Sequence, residues 1–266
     1  MTEGKKAIFL DIDGTLSWNS LPPCPEDILA LRRARDAGHY VFINTGRARG
    51  FLPPPLLGVD YLDGYLCGCG TQLLMDGRQL FGDELSRPLL REVVRFFLAH
   101  PDRMCLLEAE DALYGVNVTR KSYQTVPVAR EDAFEREYAR VHVTKLTVLG
   151  HGRADAAERA LFDGRLETVE QSRSQWYEAI LPGNGKGRGM RRACRLLGVP
   201  IENSIAIGDS ENDLDMFAHA GVAVAMANAS PPALEHAHCV TGRCGEGGVA
   251  QAVRALVFGE GALKEI

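Results

Sequence analysis

Two aspartates one residue apart, Asp11 and Asp13, close the apolar run Ala7-Ile8-Phe9-Leu10 and lead into Gly14-Thr15. Far along the chain, Asp209 and Asp213 follow Ile205-Ala206-Ile207-Gly208, with Ser210, Glu211 and Asn212 between them. Four carboxylates brought to one place repel one another strongly unless a cation offsets them. Oxygen ligands with no histidine or thiolate beside them favour Mg2+, held by one or two carboxylates, waters and a substrate phosphate. Thr45-Gly46-Arg47, closing Tyr40-Val41-Phe42-Ile43, adds a hydroxyl, backbone N–H groups and a guanidinium. Lys186 adds an ammonium at the start of a helical stretch, where N–H groups and dipole also favour an anion. With Asn212, these groups suit phosphate oxygens. The chemistry is phosphoryl transfer, with cation and lysine neutralising charge in the transition state. One aspartate can attack phosphorus to give an aspartyl-phosphate, and a second carboxyl near the leaving oxygen can act as general acid and then base.

Each motif also has a plainer reading. Asp13-Gly14 alone is a hairpin turn, Thr45-Gly46 an ordinary strand-to-loop turn, and Lys186 a solvated surface residue. The stretch Gly183–Gly189 matches neither G-x-G-x-x-G nor G-x-x-x-x-G-K-[ST], because Gly187 follows Lys186. The elements around the motifs decide for chemistry. Four uninterrupted apolar residues suit a central parallel strand covered on both faces. Residues 25–38 read as a helix, with proline and acids at its start, Ile28, Leu31 and Ala34 at helical spacing and Gly38 as cap. Strand, helix and strand make a βαβ unit whose right-handed crossover puts both strand tips on one sheet edge. Open α/β sheets bind ligands there.

The regular alternation stops after a hairpin predicted to turn at Asp76-Gly77. Ser86 is placed as the N-cap of a helix over 88–99, and strand and helix patches at 104–107, 113–118, 132–139, 145–149, 154–161, 168–170 and 176–180 form an α+β texture. It returns to βαβ character at Lys186, with strands over 205–207 and 222–226, a last short strand over 238–241, a helix over 249–257 and a fraying tail over 259–266. The expected architecture is α/β: a Rossmann-like core of parallel sheet flanked by helices from residues 1–83 and 184–266, with an inserted α+β domain over 84–183.

At 266 residues two domains are the natural expectation. Net charge is −5, which leaves no electrostatic footprint for nucleic acid or an anionic membrane. Arg188, Arg191, Arg192 and Arg195 read as an exposed helix face. The seven cysteines are scattered without a C-x-x-C pair, an arrangement of reduced thiols in a cytoplasmic protein, and Cys67 and Cys69 lack a second ligand pair at zinc spacing. No apolar run approaches a membrane span or a signal-peptide core.

Asp11-Ile12-Asp13-Gly14-Thr15, Thr45-Gly46-Arg47, Lys186 and Gly208-Asp209-Ser210-Glu211-Asn212-Asp213 resemble the four ordered motifs of the haloacid dehalogenase superfamily phosphatases. Met216, Ala220-Gly221, Val224-Ala225-Met226 and Asn228-Ala229 extend the likeness to the Cof-like branch, which includes sugar-phosphate phosphatases. The resemblance implies a large cap between the second and third motifs, which coincides with residues 84–183. It implies Asp11 as nucleophile and Asp13 as general acid/base, with Mg2+ held by Asp11, the Asp13 carbonyl and Asp209. Asp213 would orient the metal site, and Thr45, Gly46, Lys186 and Asn212 would surround the phosphate. Arg47 would stand behind them or anchor its loop through a structural ion pair. Where the branch has Asn-Gly-Ala before the cap, this chain has Cys69-Gly70-Thr71. The implied partner is a small phosphorylated metabolite; oligomeric state is left open. Transfer to another acceptor, as in a sugar phosphomutase, and a non-catalytic sensor of phosphorylated ligands stand as alternatives. For the cap, Trp176, Tyr177, Glu178, Arg120, Lys121 and Tyr123 line an entrance or belong to core or surface.

Overall fold

The computed structural model describes residues 4–119, 123–170 and 175–266. The chain opens with β1 (Ala7–Leu10), α1 (Pro25–Asp36), β2 (Tyr40–Asn44), β3 (Gly64–Cys67), β4 (Gln72–Met75) and β5 (Arg78–Gly82). It continues through α2 (Arg87–Ala99), β6 (Met104–Ala109), β7 (Leu113–Val116), β8 (Thr125–Pro127), α3 (Ala133–Arg136), β9 (Val143–Leu149), α4 (Ala156–Phe162), β10 (Glu167–Val169) and β11 (Trp176–Ile180). It ends with α5 (Lys186–Leu197), β12 (Ser204–Gly208), α6 (Leu214–His219), β13 (Val222–Ala225), α7 (Pro231–His236), β14 (Cys239–Val240), α8 (Gly248–Phe258) and β15 (Lys264–Glu265). Two compact units result: one of residues up to Gly46, Leu52–Phe81 and Gly185–Ile266, the other of Arg47–Phe51 and Gly82–Asn184.

The first unit is built on a nine-stranded sheet in the order β15-β14-β13-β12-β1-β2-β3-β4-β5. Pairing is parallel from β14 through β3 and antiparallel at β14–β15 and β3–β4. β1 is wholly buried, as an uncharged run with no alternation requires. Ile8 and Leu10 pack on the side that carries Leu31 of α1 and Val253 of α8. Ala7 and Phe9 pack on the opposite side, with Met190 of α5 and Phe217 of α6. From β1 the chain moves outward one way through β2 and β3, and from β12 the other way through β13 and β14. The order therefore reverses between β1 and β12, and the crevice beyond the carboxyl ends of such a pair is where open α/β sheets hold ligands.

The tail corrects an expectation: Lys264 and Glu265 pair antiparallel with Val240 and Cys239 and close the sheet edge. Backbone ladder bonds, not side-chain burial, hold it, so its charged sequence carries no strand signal.

The second unit is an α+β layer with sheet order β10-β11-β9-β6-β7-β8. One face, including Cys105, Leu107, Leu146, Val148 and Tyr177, packs on α2 through Leu90, Val94 and Phe97. Tyr177 is thus core. On the other face Leu106, Leu113 and Leu149 meet Phe51 and Tyr123. That face also buries Lys145 between Glu108 and Glu178, with Thr147 Oγ1 donating to Glu108 at 2.5 Å. Trp176 stays 39% exposed. Arg120 and Lys121 lie outside the described residues.

Candidate active site

The carboxylates meet where the strand order reverses. β1 pairs with β12 in register from Ala7 opposite Ser204 to Leu10 opposite Ile207, and the Asp11 amide extends the ladder to the Ile207 carbonyl at 3.0 Å. Asp11 and Asp209 therefore leave neighbouring strands side by side. Asp11, Asp209 and Asp213 each present an oxygen within 4.8 Å of the others. Lys186, only 2% exposed, donates to Asp11 Oδ1 at 2.6 Å, to Asp213 Oδ1 at 2.7 Å and to Asn212 Oδ1 at 3.4 Å.

Asp213 is held on its other side. Its Oδ2 accepts from the amides of Asp209 at 2.9 Å and Ser210 at 3.1 Å, folding the turn after β12 around the carboxylate. Both Asp213 oxygens are thereby engaged, one by Lys186 and the other by the Asp209 loop. Asp209 Oδ1 accepts from the Thr15 hydroxyl at 3.2 Å. Asn228 fixes the first loop from outside: its Nδ2 donates to the Gly14 carbonyl at 2.8 Å while its Oδ1 accepts from the Cys244 amide at 2.8 Å.

The electrostatics follow from burial and proximity. Burial pushes the Asp11 carboxyl up, Lys186 pulls it down and Asp213 pushes again, leaving it raised at about 6. Burial, then the charges of Asp11 and Asp213, lift Asp209 to about 8. Burial opposes the charge on Lys186, but Asp11 and Asp213 outweigh it and hold the ammonium above its ordinary range. One lysine thus offsets part of the charge of three carboxylates, and Asp209 keeps a proton near neutrality.

The residues fit a hard divalent cation. The donor set is oxygen only, and the carboxylates need more positive charge than Lys186 provides. A Cβ on Gly14, whose φ is +93°, would lie 2.3 Å from Asp209 Oδ2, so the absence of a side chain there lets Asp209 close over the Asp13–Gly14 backbone. Asp11, Asp209 and that backbone would hold the ion.

Other predicted residues take their places around this centre. Asp13 is exposed, with its backbone bridged to Ser17, and its charge adds to the upward push on Asp11. Thr45 is buried at the end of β2, its amide donating to the Leu66 carbonyl at 2.9 Å and its carbonyl accepting from the Cys69 amide at 3.1 Å. Gly46 follows, half-buried. Arg47 belongs to the second unit, where it donates to the Phe51 carbonyl at 3.1 Å and ties residues 47–51 into a turn.

Two supporting residues escape a sequence reading. Buried Asn44, the last residue of β2, donates from Nδ2 to the Lys186 carbonyl at 3.1 Å and so joins the end of β2 to the start of α5. Asp215 accepts from the Gly187 amide at 2.8 Å, capping α5 just after Lys186. Asn44 could have been noticed as a polar residue closing an apolar strand. Nothing distinguishes Asp215 from an ordinary helix acid.

The sequence pattern of the haloacid dehalogenase-like hydrolases matches residues 8–253. A phosphoglycolate phosphatase of Methanothermobacter thermautotrophicus is 27% identical over 252 residues, covering 95% of this chain and 99% of its own. A 5-amino-6-(5-phospho-D-ribitylamino)uracil phosphatase of Bacillus subtilis is 29% identical over 270 residues, covering 92% and 94%. Among solved structures, a haloalkanoate superfamily phosphatase of Bacteroides thetaiotaomicron shares the fold with a TM-score of 0.78, at 22% identity and 95% coverage of each chain. No described helix is long and apolar enough to cross a membrane. With a family pattern that spans nearly all of its length, the chain belongs to the haloacid dehalogenase-like hydrolases.

Proposed function

We propose that the protein is a Mg2+-dependent phosphatase that hydrolyses a small phosphorylated metabolite, a sugar phosphate or similar monoester, through an aspartyl-phosphate on Asp11. The observation that carries this reading is the bonding of Lys186 to both Asp11 and Asp213 beside Asp209. It leaves a buried, raised but largely ionised carboxylate at the switch point, in a setting built for anions. The names of the relatives support the substrate class.

In this reading an Asp11 oxygen bonds to phosphorus as the bond to the ester oxygen breaks, and Asp13 gives its proton to that leaving oxygen. Water then attacks the aspartyl-phosphate, Asp13 takes the water's proton, and phosphate leaves with the Asp11 carboxylate restored. Lys186, Thr45, the Gly46 amide and Asn212 hold the phosphoryl oxygens and stabilise their charge. When bound, Mg2+ supplies Lewis-acid charge neutralisation at phosphorus. The inserted residues 84–183 are assigned the selection of the leaving group.

The test is phosphate release from a panel of sugar phosphates, nucleotides and vitamin-type esters, with Mg2+ and with EDTA, in wild type and Asp11→Asn. Release that needs Mg2+ and falls at least ~10³-fold in the variant is expected for loss of the nucleophile. Release that survives Asp11→Asn would remove the aspartyl-phosphate from the mechanism.

A further inference from the structure

The loop that carries Asp13 distributes its side chains against the usual burial preference. Leu16 and Ser17 are 0% and 1% exposed, whereas Trp18 and Leu21 are 55% and 60% exposed. A small hydroxyl is buried and the largest aromatic side chain stands in water, although burying an aromatic of that size is among the larger gains available to a core.

The geometry keeps Trp18 in that position. The Gly14 amide donates to the Ser17 carbonyl at 2.9 Å, and the Ser17 amide to the Ile12 carbonyl at 2.8 Å. The Ser17 hydroxyl donates to the Leu21 carbonyl at 2.5 Å, and the Leu21 amide returns to the Trp18 carbonyl at 3.1 Å. Between Trp18 and Leu21, Asn19 and Ser20 both have positive φ, 53° and 59°, a tight reversal made without glycine. Ser17 is bridged to Asp13, so the Trp18 backbone lies within roughly 9 Å of the Asp13 backbone. The backbone that carries the solvent-facing Trp18 is therefore held by four backbone or hydroxyl hydrogen bonds within residues 12–21, the same loop that carries the residue assigned to protonate the leaving oxygen.

We propose that Trp18 is a specificity-determining residue whose indole receives the planar ring of the leaving group, so that the enzyme favours monoesters of flat heteroaromatic alcohols over those of open-chain polyols. The inference rests on the phosphatase reading above and narrows its substrate class. A ring face stacks on an aromatic side chain whatever its substituents, whereas an open chain gains little from it.

Pyridoxine 5′-phosphate and glycerol 3-phosphate share the phosphate and differ in the ring. Their affinities are measured by calorimetry on Asp11→Asn and on Asp11→Asn combined with Trp18→Ala or Trp18→Phe, so that binding is read without turnover. Trp18→Ala is expected to weaken the pyridine ester about ten-fold, leave the glycerol ester within two-fold, and be largely rescued by phenylalanine. Parallel assays with Asp11 intact should show the same split in KM with kcat kept. No binding of the pyridine ester, equal losses for both esters, or no loss for either overturns the role of Trp18. Ester binding without phosphate release in wild type would instead overturn the phosphatase reading.

Discussion

Without metal the carboxylate centre should make the protein less stable as pH rises from 6 to 8. Asp209 in the folded chain is raised from 3.8 to about 8, mainly by burial and then by Asp11 and Asp213, and Asp11 is raised to about 6. In the unfolded chain both return to about 3.9 and are ionised throughout this window. The folded state thus binds a proton that the unfolded state has lost, and linkage requires stability to fall with rising pH until the folded pKa is passed. Each pKa unit is worth about 1.36 kcal/mol, and the loss tapers as Asp209 half-ionises, so Asp209 contributes roughly 2 kcal/mol between pH 6 and 8. Asp11 adds about 0.4 kcal/mol. Discounting for the partial solvent access of Asp209 gives about 2 kcal/mol in all. Urea unfolding in EDTA should show this as a midpoint that moves down by roughly 1 M or less across the window. Asp209→Asn should remove most of the slope, and saturating Mg2+ should flatten it, because the ion displaces the protons. A midpoint that holds or rises with pH in EDTA, or an undiminished fall in Asp209→Asn, would refute the account of the site.

Three further outcomes are expected. Lys186→Met strands Asp11 and Asp213 in a buried site, costing about 3–5 kcal/mol at pH 8 and less at pH 5, where protonation of Asp11 relieves it; melts at the two pH values check it. Gly14→Ala, whose new methyl would meet Asp209 Oδ2 at 2.3 Å, should weaken Mg2+ binding by about ten-fold or more while the fold survives, as read by calorimetry and circular dichroism. Buried Asp27 accepts from the Cys24 thiol at 3.0 Å and, across the first unit, from the Ala250 amide in the first turn of α8 at 2.7 Å. Asp27→Ala should therefore cost about 1–2 kcal/mol in urea unfolding and leave kcat unchanged, since it caps a helix and touches no reacting group.

The parts of the fold and site that could be read from the chain are those in which one short segment carries its whole reason. β1 and β12 announce themselves because a strand buried on both faces must be uniformly apolar, and the polar residue that ends each run lies at the ligand edge. The residues that could not be read depend on partners distant in sequence. Asp215 caps α5 from 28 residues away, and Asn44 reaches Lys186 across 142. The glycines around Lys186 resemble a phosphate loop, yet a Cβ on Gly189 would meet the Gly70 Cα at 2.6 Å, so that position serves the close approach of two backbones. β8 and β15 give no strand signal in the sequence because Pro127 and the charged pair Lys264–Glu265 carry no burial pattern. The sequence pattern puts Lys145 at a strand start, and its carboxylate neighbours on β6 and β11 explain how an ammonium can be buried there.

For the mechanism proposed above, with Asp11 as nucleophile, the same physics gives a reason for Lys186 to be linked to Asp213 as well as to Asp11. A nucleophilic carboxylate has to be ionised to attack, and basic enough for the new bond to phosphorus to form readily. Burial of Asp11 moves it toward the protonated, inactive form, and the ammonium at 2.6 Å restrains that shift so that it stops at about 6. A lysine bonded to Asp11 alone would follow that side chain when phosphorus draws it away. Because Asp213 also holds Nζ, and is itself fastened by the amides of Asp209 and Ser210, the ammonium is anchored to the loop opposite. In the proposed mechanism the positive charge then stays in place while negative charge moves from the Asp11 carboxylate to the phosphoryl oxygens, which is what preorganised electrostatic stabilisation demands.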